Sequence, residues 1–236
     1  MSKEAIVLAG GLGTRIKHLL DDLPKPMAPV GGRPFLTYLL LCLESEGIKR
    51  VILSVGYKSE KIIKYYGEKF NDLEIIYSIE DVPLGTGGAI KKSLSLCRED
   101  HVFIINGDTF FDISFDLMRK TFINKAPSML IALCEMKSVE RYGTVDIDDF
   151  GIVKAFKEKS FKEYALINGG VYLIKTDIMS GEDLPDCFSF EKDILEKKVE
   201  ISAIMAIPFD NYFIDIGVPE DFYKAQKELP SYFEDV

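Results

Sequence analysis

Apolar runs of strand length alternate with amphipathic segments through the first half of the chain. The apolar runs are residues 5–9, 50–55, 73–79 and 101–105. The segments with a helical spacing of apolar side chains are residues 34–46, 59–70 and 86–97. Runs that are apolar on both faces are typical of parallel strands covered by helices, and their alternation with helices indicates βαβ units. The first half therefore predicts a Rossmann-like α/β fold with three layers, αβα, around a mainly parallel sheet.

The second half has a different pattern, in which short strands follow one another through turns after Asp116. We predict strands at residues 129–135, 144–147, 152–156, 166–174, 201–206 and 212–214. We predict helices at residues 188–197 and 219–228, and a hairpin turn at residues 148–151. Because no glycine- and serine-rich linker separates the halves, we interpret residues 1–236 as a single domain with one mixed sheet, which continues from residues 1–116 into residues 117–236.

Composition and charge narrow the classes of protein that fit this pattern. Of the 236 residues, 47% are hydrophobic and 28% are charged, which is typical of a soluble globular domain. The excess of 38 acidic over 29 basic residues argues against a nucleic-acid partner, because a surface that binds nucleic acid is basic. No apolar run approaches the roughly 20 residues that span a bilayer, and the first strand begins too early for a signal peptide to precede it. We therefore expect a cytoplasmic protein without a membrane partner, with reduced, buried thiols at its scattered cysteines.

A glycine-rich turn, GGLGTR, follows the first strand at residues 10–15. Backbone N–H groups in such a turn bind phosphate oxygens well, and the guanidinium of Arg15 adds a cation whose fork matches a phosphate group. Further on, Lys25 stands between two prolines, which restrict the backbone that carries it. A Walker A loop is excluded because no Gly-Lys-Ser/Thr follows, and a dinucleotide fingerprint is excluded because Ile16 replaces its third glycine. A plain turn with two surface charges is the alternative.

Two more polar segments, residues 80–88 and 106–108, follow predicted strands. In parallel sheets ligands bind beyond the carboxyl ends of the strands. A carboxylate at that edge, Asp108, suits a hard divalent cation such as Mg²⁺, which takes few protein carboxylates, although a solvated Asn-Gly turn is the alternative. Asp215 follows another short apolar strand. Paired carboxylates also occur in glycosidases, but the phosphate-binding turn and the absence of tryptophan argue against that class.

The segments LAGGLGTR (residues 8–15) and PKPMAPV (residues 24–30), in this order, resemble the signature of the sugar-1-phosphate nucleotidylyltransferases. The resemblance extends from residue 4 to about Asp221. It implies the nucleotide-diphospho-sugar transferase fold and an Mg²⁺-dependent reaction in which an NTP and a sugar 1-phosphate give an NDP-sugar and pyrophosphate. The expected partners are these two small molecules.

The same resemblance assigns roles to individual residues of the first half. Arg15, Lys25 and Asp108 are expected to be catalytic, and Asp108 and Asp215 are expected to hold Mg²⁺. The carboxylate of Glu80 suits the N1–H and amino group of guanine, and Gly85 would let the base lie against the backbone. The full set expected to bind the nucleotide is Leu8, Ala9, Gly10, Gly11, Gly13, Thr14, Glu80, Pro83, Gly85, Thr86, Asn106 and Gly107. A simple helix N-terminus capped by Thr86 is the alternative for this glycine-rich segment.

The second half is expected to bind the sugar phosphate. Lys159 would contact the phosphate, Glu158 the sugar hydroxyls, and Gly169 would leave space for the ring. The full set implied by the resemblance is Gly143, Glu158, Lys159, Asn168 and Gly169. A solvated charged surface is the alternative for residues 157–159. Residues 1–116 thus form a predicted nucleotide-binding half and residues 117–236 a predicted sugar-phosphate-binding half.

Chain length and the LGTGGA segment (residues 84–89) narrow the subfamily. The chain ends soon after its last predicted helix, so we expect no C-terminal left-handed β-helix, which many family members carry. A short chain with this segment resembles the heptose 1-phosphate guanylyltransferases, which implies GTP and D-glycero-D-manno-heptose 1-phosphate as substrates and GDP-heptose for bacterial surface polysaccharide. The alternatives are mannose 1-phosphate guanylyltransferase, a relative that transfers a uridylyl, cytidylyl or thymidylyl group, and a non-catalytic regulatory homologue. The apolar pairs Phe110-Phe111 and Tyr232-Phe233 would permit a homodimer.

Overall fold

Each strand and helix predicted in the first half is present, and short strands and one helix that were not predicted lie between or after them. A computed structural model describes residues 3–11, 13, 15–20, 22–201 and 203–234, without the side chains of Lys17 and Glu234. The first-half elements are β1 (Glu4–Leu8), β2 (Pro29–Val30), β3 (Arg33–Pro34), α1 (Phe35–Ser45), β4 (Arg50–Val55), α2 (Ser59–Tyr66), β5 (Lys69–Phe70), β6 (Leu73–Ile79), α3 (Gly85–Leu94), β7 (His101–Asn106), β8 (Thr109–Phe111) and α4 (Phe115–Lys125). Single 3₁₀ turns lie at Lys17–Leu19 and Lys25–Met27.

The second half supplies long antiparallel strands and two more helical segments. Its elements are β9 (Met129–Val139), β10 (Thr144–Ile147), β11 (Val153–Lys157), β12 (Lys162–Lys175), a π-helical turn (Glu191–Leu195) that continues into α5 (Glu196–Glu200), β13 (Ile204–Phe209), β14 (Phe213–Asp215) and α6 (Pro219–Glu234).

One ten-stranded mixed sheet joins the two halves. Its strand order is β11-β10-β12-β7-β1-β4-β6-β5, and β9 pairs with both β12 and β13. The central strands β7, β1, β4 and β6 run parallel, whereas β12 lies antiparallel to β7 with Val171 opposite Ile105. The second half therefore extends the sheet of the first half, as its strand pattern predicts.

Helices cover both faces of this sheet. Alternate residues of β1 point to opposite sides, so that Val7 belongs to one apolar cluster and Ile6 to the other. The first cluster also contains buried side chains of α1, α2, α4 and α6, and the second contains those of α3 and the π-helical turn. Burial of each large aliphatic side chain stabilises the fold by about 1.5–3 kcal/mol. The three-layer αβα prediction is confirmed.

Several predicted boundaries are wrong for local reasons. The helix predicted at residues 59–70 ends at Tyr66, because Gly67 takes a positive φ of 62° and the chain then enters β5. Helix α4 was not predicted, although Ser114 caps it by accepting a hydrogen bond from the Leu117 N–H. Its buried side chains follow a helical spacing, but the polar residues between them hide the pattern.

Other differences lie in the second half. The helix predicted at 188–197 spans 191–200, and the strand predicted at 201–206 spans 204–209. The last helix continues through Pro230 to Glu234 instead of ending at Glu228. Strands β9 and β12 are longer than predicted because they pair with each other beyond the core, where their exposed side chains give no apolar signal.

Two expectations about surface residues change with the structure. Phe110 and Phe111 are buried, and Phe110 packs against Tyr232 and Phe233 of the same chain. The predicted homodimer stays a prediction that these residues do not support. The four cysteines are unpaired, but of the four expected to be buried only Cys134 is, since Cys42 and Cys97 are half-buried and Cys187 is exposed. Among the described residues, no helix has the length and apolar character needed to cross a membrane.

Candidate active site

A cavity of about 580 Å³ lies at the carboxyl ends of β1, β4, β6 and β7. Most of the residues predicted to bind nucleotide line it, and so do two predicted catalytic residues. The predicted residues in its wall are Leu8, Gly10, Gly11, Lys25, Glu80, Pro83, Gly85, Thr86, Asn106, Gly107 and Asp108. The structure therefore brings together four segments that are separate in the sequence.

Some predicted residues support this wall from behind. Ala9 is fully buried, and its N–H donates to the carbonyl oxygen of Ser54 at 2.7 Å. Gly13 lies against the stem of Lys25, since a Cβ at this glycine would approach the Lys25 Cβ to 2.8 Å. Thr14 lies outside the described residues.

Lys25 is the cation at the centre of the site. It begins the 3₁₀ turn at Lys25–Met27, and it is only 6% exposed although it is a lysine. Its Nζ donates to the Asp108 carboxylate and lies 3.9 Å from Oδ1 of Asp215. A buried lysine persists when anionic groups compensate its charge. The two carboxylates that are predicted to bind metal therefore both lie close to the ammonium group of Lys25.

The two aspartates meet because β8 and β14 form a small antiparallel sheet. Thr109, next to Asp108, lies opposite Asp215 in its register. The pairing continues with the N–H of Ile216, which donates to the carbonyl oxygen of Asp108 at 3.0 Å. Backbone hydrogen bonds therefore fix the separation of two carboxylates that are far apart in the sequence.

Arg15 completes this cluster from the exposed side. A Cβ placed on Gly217 would lie 3.1 Å from Nη2 of Arg15 and 3.1 Å from Nζ of Lys25, so both cations lie beside this glycine. The Gly217 N–H donates to Oδ1 of Asp215 at 2.7 Å. Burial and then the charge of Asp108 raise the pKa of Asp215, whereas Lys25, the Gly217 N–H and Arg15 lower it. The carboxylate pair therefore requires nearby positive charge.

The donor set of this cluster fits a magnesium ion. Within the described part of the chain, no group of three or more histidine, cysteine, aspartate or glutamate side chains forms a metal site. Magnesium does not need one, because it is held by one or two carboxylates and completes its octahedron with water and substrate phosphate oxygens. Asp108 and Asp215 already converge on the cationic Nζ of Lys25 and supply such a pair.

Glu80 is held in place at the edge of the cavity. Its Oε1 accepts a hydrogen bond from the Ser54 hydroxyl at 3.2 Å, and its Oε2 accepts one from the Leu84 N–H at 3.1 Å. A carboxylate has about four lone-pair sites, so each oxygen can accept one more hydrogen bond. Glu80 is therefore an oriented acceptor in the cavity wall.

The glycine-rich segment beside Glu80 also has a packing role. Gly85 has a left-handed φ of 68°, and a Cβ there would lie 2.5 Å from the carbonyl oxygen of Phe188. Hydrogen bonds join the same two segments, from the Gly87 N–H to the Phe188 carbonyl at 2.9 Å and from the Phe188 N–H to the Leu84 carbonyl at 3.0 Å. The segment therefore needs glycine for close approach of the second half, whatever binds in the cavity.

Thr86 does not cap α3. The alternative interpretation of this segment, a helix N-terminus capped by Thr86, is therefore wrong. The Thr86 hydroxyl instead donates to Oε2 of Glu191 at 2.8 Å and accepts from the Phe190 N–H at 2.9 Å. Because Glu191 lines the cavity, these bonds place a second-half carboxylate in the wall of the predicted nucleotide site.

The sugar-phosphate candidates lie outside the lining of this cavity. Glu158 and Lys159 are exposed in the connection between β11 and β12. A Cβ on Gly143 would lie 2.9 Å from the Lys157 carbonyl oxygen, so Gly143 packs against the strand that leads to them. Their roles stay predictions.

Asn168 and Gly169 lie in β12, where Gly169 packs against β8, the strand that follows Asp108. They belong to a bulge of β12 beside the end of β7. Asn168 donates to the Tyr172 hydroxyl at 2.7 Å and accepts from the Gly170 N–H at 3.0 Å. Gly169 faces the ring of Phe111, since a Cβ there would approach this ring to 2.4 Å. Gly169 thus has a packing role in addition to its predicted role in making room for the sugar.

Several cavity residues are absent from the predicted set, among them the polar residues Ser54, Tyr57 and Glu191. Ser54 gave a usable signal, because it is a polar residue near the carboxyl end of an apolar strand, as Asn106 is. Tyr57 follows the same strand and gave a similar, weaker signal. Glu191 gave none, because its place depends on packing of the second half onto α3.

Comparison with known proteins places this geometry in a family. The family model described as nucleotidyl transferase matches residues 4–231. The chain is 48% identical over 229 residues to D-glycero-alpha-D-manno-heptose 1-phosphate guanylyltransferase of Aneurinibacillus thermoaerophilus, covering 97% of this chain and 99% of that protein. It is 47% identical over 220 residues to the protein of the same name from Campylobacter jejuni, covering 93% of this chain and 97% of that protein.

Solved structures agree with the sequence matches. HddC from Yersinia pseudotuberculosis, complexed with GMP-PN, superposes with a TM-score of 0.84 at 36% identity over 95% of this chain and 98% of that one. A glucose-1-phosphate thymidylyltransferase homologue from Bacillus anthracis shares the fold alone, with a TM-score of 0.82 at 19% identity. The fold and the enzyme class predicted from the two signature segments are confirmed. The chain belongs to the nucleotidyl transferase family.

Proposed function

We propose that this enzyme transfers a guanylyl group from GTP to D-glycero-α-D-manno-heptose 1-phosphate, giving GDP-heptose and pyrophosphate. The observation that carries the reaction class is the cluster in which Lys25 lies between Asp108 and Asp215, beside the glycine-rich turn. The names of the two relatives that are nearly half identical to the chain, and that it covers almost completely, support the choice of both substrates.

The reaction forms one P–O bond and breaks another. A phosphate oxygen of the sugar 1-phosphate attacks the α-phosphorus of GTP, and the bond to the β-phosphate oxygen breaks with departure of pyrophosphate. The attacking oxygen is already anionic at neutral pH, so no general base is required. The enzyme must bring two anions together in line and stabilise the charge that accumulates on the α-phosphate.

The residues of the cluster suit these tasks. Lys25 and Arg15 would contact oxygens of the triphosphate, and the N–H groups of residues 10–15 would bind the departing pyrophosphate. Asp108 and Asp215 would hold Mg²⁺, which when bound neutralises phosphate charge. On the sugar side, Lys159 would bind the phosphate of the acceptor and Glu158 its hydroxyls.

Pyrophosphate release tests this proposal. Each of GTP, ATP, UTP, CTP and dTTP would be incubated with Mg²⁺ and, in turn, heptose, mannose or glucose 1-phosphate. We expect strong release only with GTP and heptose 1-phosphate. Release with mannose 1-phosphate alone would replace the sugar, release with another NTP would replace the base, and NTP binding without any release would favour the regulatory homologue.

Substitution of Glu80 tests how the enzyme recognises the nucleobase. We propose that the Glu80 carboxylate accepts hydrogen bonds from the N1–H and 2-amino group of guanine. ITP lacks that amino group, so the native enzyme should prefer GTP to ITP by about 10-fold in kcat/KM, as expected for loss of a hydrogen bond to a charged acceptor. In Glu80→Gln this preference should nearly disappear, because a neutral amide binds the 2-amino group less strongly.

The matched control is Glu191→Gln, which changes another carboxylate in the same cavity wall. Its GTP-to-ITP ratio should stay that of the native enzyme. A native ratio near one, or an equal change in both variants, would contradict the assignment of Glu80 to the 2-amino group.

The wider setting follows from the proposed reaction. Consumption of GTP is consistent with the cytoplasm as the site of action, and GDP-heptose is a donor for bacterial surface polysaccharide such as capsule or lipopolysaccharide. A GDP-heptose product would require a downstream glycosyltransferase that transfers heptose from the nucleotide.

A further inference from the structure

The C-terminal helix α6 touches segments that carry catalytic residues. We propose that Gln226 on this helix is a positioning residue, which holds the hairpin β2–β3 and through it sets the place of Lys25. This inference rests on the proposed transfer reaction, in which Lys25 acts on the triphosphate.

Gln226 uses both ends of its amide on the hairpin backbone. Its Nε2 donates to the carbonyl oxygen of Pro29, and its Oε1 accepts from the N–H of Gly31 at 3.1 Å. A glutamine that makes two hydrogen bonds to one short turn fixes both the position and the rotation of that turn. The amide therefore acts as a clasp between α6 and the hairpin.

A close contact strengthens the clasp. Gly31 has a left-handed φ of 55°, and a Cβ there would lie 2.2 Å from Cγ of Pro230 on α6. On the other side of the hairpin, the Tyr38 hydroxyl donates to the Val30 carbonyl oxygen at 3.0 Å. The hairpin is thus held between α6 and α1, with little freedom to shift.

The hairpin is joined to Lys25 through a rigid stretch of chain. The Ala28 N–H donates to the Lys25 carbonyl oxygen at 3.0 Å, and the Phe35 N–H donates to the Ala28 carbonyl oxygen at 2.9 Å. Proline flanks Lys25 on both sides and also begins β2 at Pro29. Because each proline fixes its φ, a displacement of the hairpin is passed to Lys25 rather than absorbed between them.

The same helix is joined to the partner carboxylate of Lys25. Helix α6 begins at Pro219, a short distance along the chain from Asp215, and the Tyr212 hydroxyl before β14 donates to Glu228 of α6 at 2.9 Å. Helix α6 is therefore joined at its first residue to the segment that carries Asp215. Through Gln226, in its middle, it is joined to the hairpin that leads to Lys25. The geometry points to α6 as the part that sets the 3.9 Å separation of these two groups.

Gln226→Met tests this role, because methionine keeps the length and apolar stem of glutamine but cannot form the two hydrogen bonds. A misplacement of 1 Å in a catalytic group costs about 100-fold in rate, so a smaller shift should lower kcat about 10-fold. The GTP KM should change less than about twofold, because the rest of the cavity is intact. Lys227→Met, at the next and exposed position of α6, should behave as the native enzyme.

A double-mutant cycle separates positioning from general stability. In a Lys25→Ala background, Gln226→Met should cause no further loss of kcat, because the group that it positions is gone. Equal losses with and without Lys25 would overturn the proposal, since they would show that Gln226 acts through the fold as a whole.

Amide hydrogen exchange gives a measurement that does not depend on the substrates. Exchange over residues 27–35 should be faster in Gln226→Met than in the native protein and unchanged in Lys227→Met. Native exchange in Gln226→Met would overturn the clasp whatever the reaction. Failure of the native enzyme to release pyrophosphate would contradict the proposed function, whereas the exchange result would still decide the clasp.

Discussion

Replacement of Lys25 by methionine is expected to lower kcat about 100- to 1,000-fold, which is the usual effect of removing one donor that stabilises charge in a transition state. Lys25 is buried, and its Nζ lies between Asp108 and Asp215 at the edge of the cavity. Triphosphate bound there would meet this ammonium group at the point where charge accumulates. The KM for GTP should change much less than kcat, because the glycine-rich turn and the Glu80 loop are unaltered.

The same substitution changes the electrostatics of the cluster. Lys25 lowers the pKa of Asp215, against the opposing effects of burial and Asp108. Its removal should therefore raise that pKa further and leave Mg²⁺ as the cation that balances the two aspartates. Higher Mg²⁺ should recover only part of the activity, because the ion can restore neutralisation of the aspartates but cannot replace the ammonium contact to phosphate.

Steady-state kinetics over a range of Mg²⁺ concentrations would measure these effects, with thermal unfolding to confirm that the variant is folded. Lys91→Met, at an exposed position of α3, is the matched control and should retain native kinetics. A Lys25→Met enzyme with a native kcat would remove Lys25 from the mechanism.

The sequence predicted the parts of this site that lie at the ends of apolar strands. Residues 10–15, Glu80 and Asp108 each follow a buried run, and the carboxyl ends of parallel strands meet at one edge of a sheet. Local pattern and chain connectivity are enough to place them. The structure adds only how they are held, for example the bonds from Ser54 and Leu84 to Glu80.

The contacts that the sequence could not predict join segments distant in the chain. The family resemblance implies that Asp215 and Asp108 meet, but the pairing of β14 with β8 that brings them together has no local signal in the sequence. Glu191 enters the cavity wall through a hydrogen bond from Thr86. Such contacts depend on how the second half packs, and no local propensity encodes them.

The glycines of the LGTGGA segment have two roles, one proposed in binding the base and one in packing. They fit a base-binding loop, and the structure supports that reading by placing Gly85 in the cavity wall. The same glycine is also required by the approach of Phe188, so its presence alone does not establish contact with the base. Glu80, which a change to glutamine alters in charge but not in shape, is therefore the sharper probe of nucleotide recognition.

Substitution of either cluster aspartate by asparagine should reduce kcat at saturating GTP about 100- to 1,000-fold, because each removes half of the proposed metal-binding pair. Asp108→Asn and Asp215→Asn should both weaken the apparent affinity for Mg²⁺. The double variant should lose little more than either single variant, because one carboxylate without the other no longer holds the ion. Additive losses would instead indicate that the two aspartates act independently.

Mn²⁺ bound in the presence of GTP, measured by electron paramagnetic resonance, gives this prediction a readout other than activity. Each variant should need at least about 10-fold more Mn²⁺ for half-saturation, since even the outer partners of metal ligands affect affinity by 10- to 100-fold. Asp149→Asn, in the exposed hairpin turn between β10 and β11, should bind Mn²⁺ as the native enzyme does. Native Mn²⁺ affinity in Asp215→Asn alone would leave Asp108 as the sole carboxylate ligand. The pairing of β8 with β14 would then serve to position Asp215 for Lys25, whose charge it would balance.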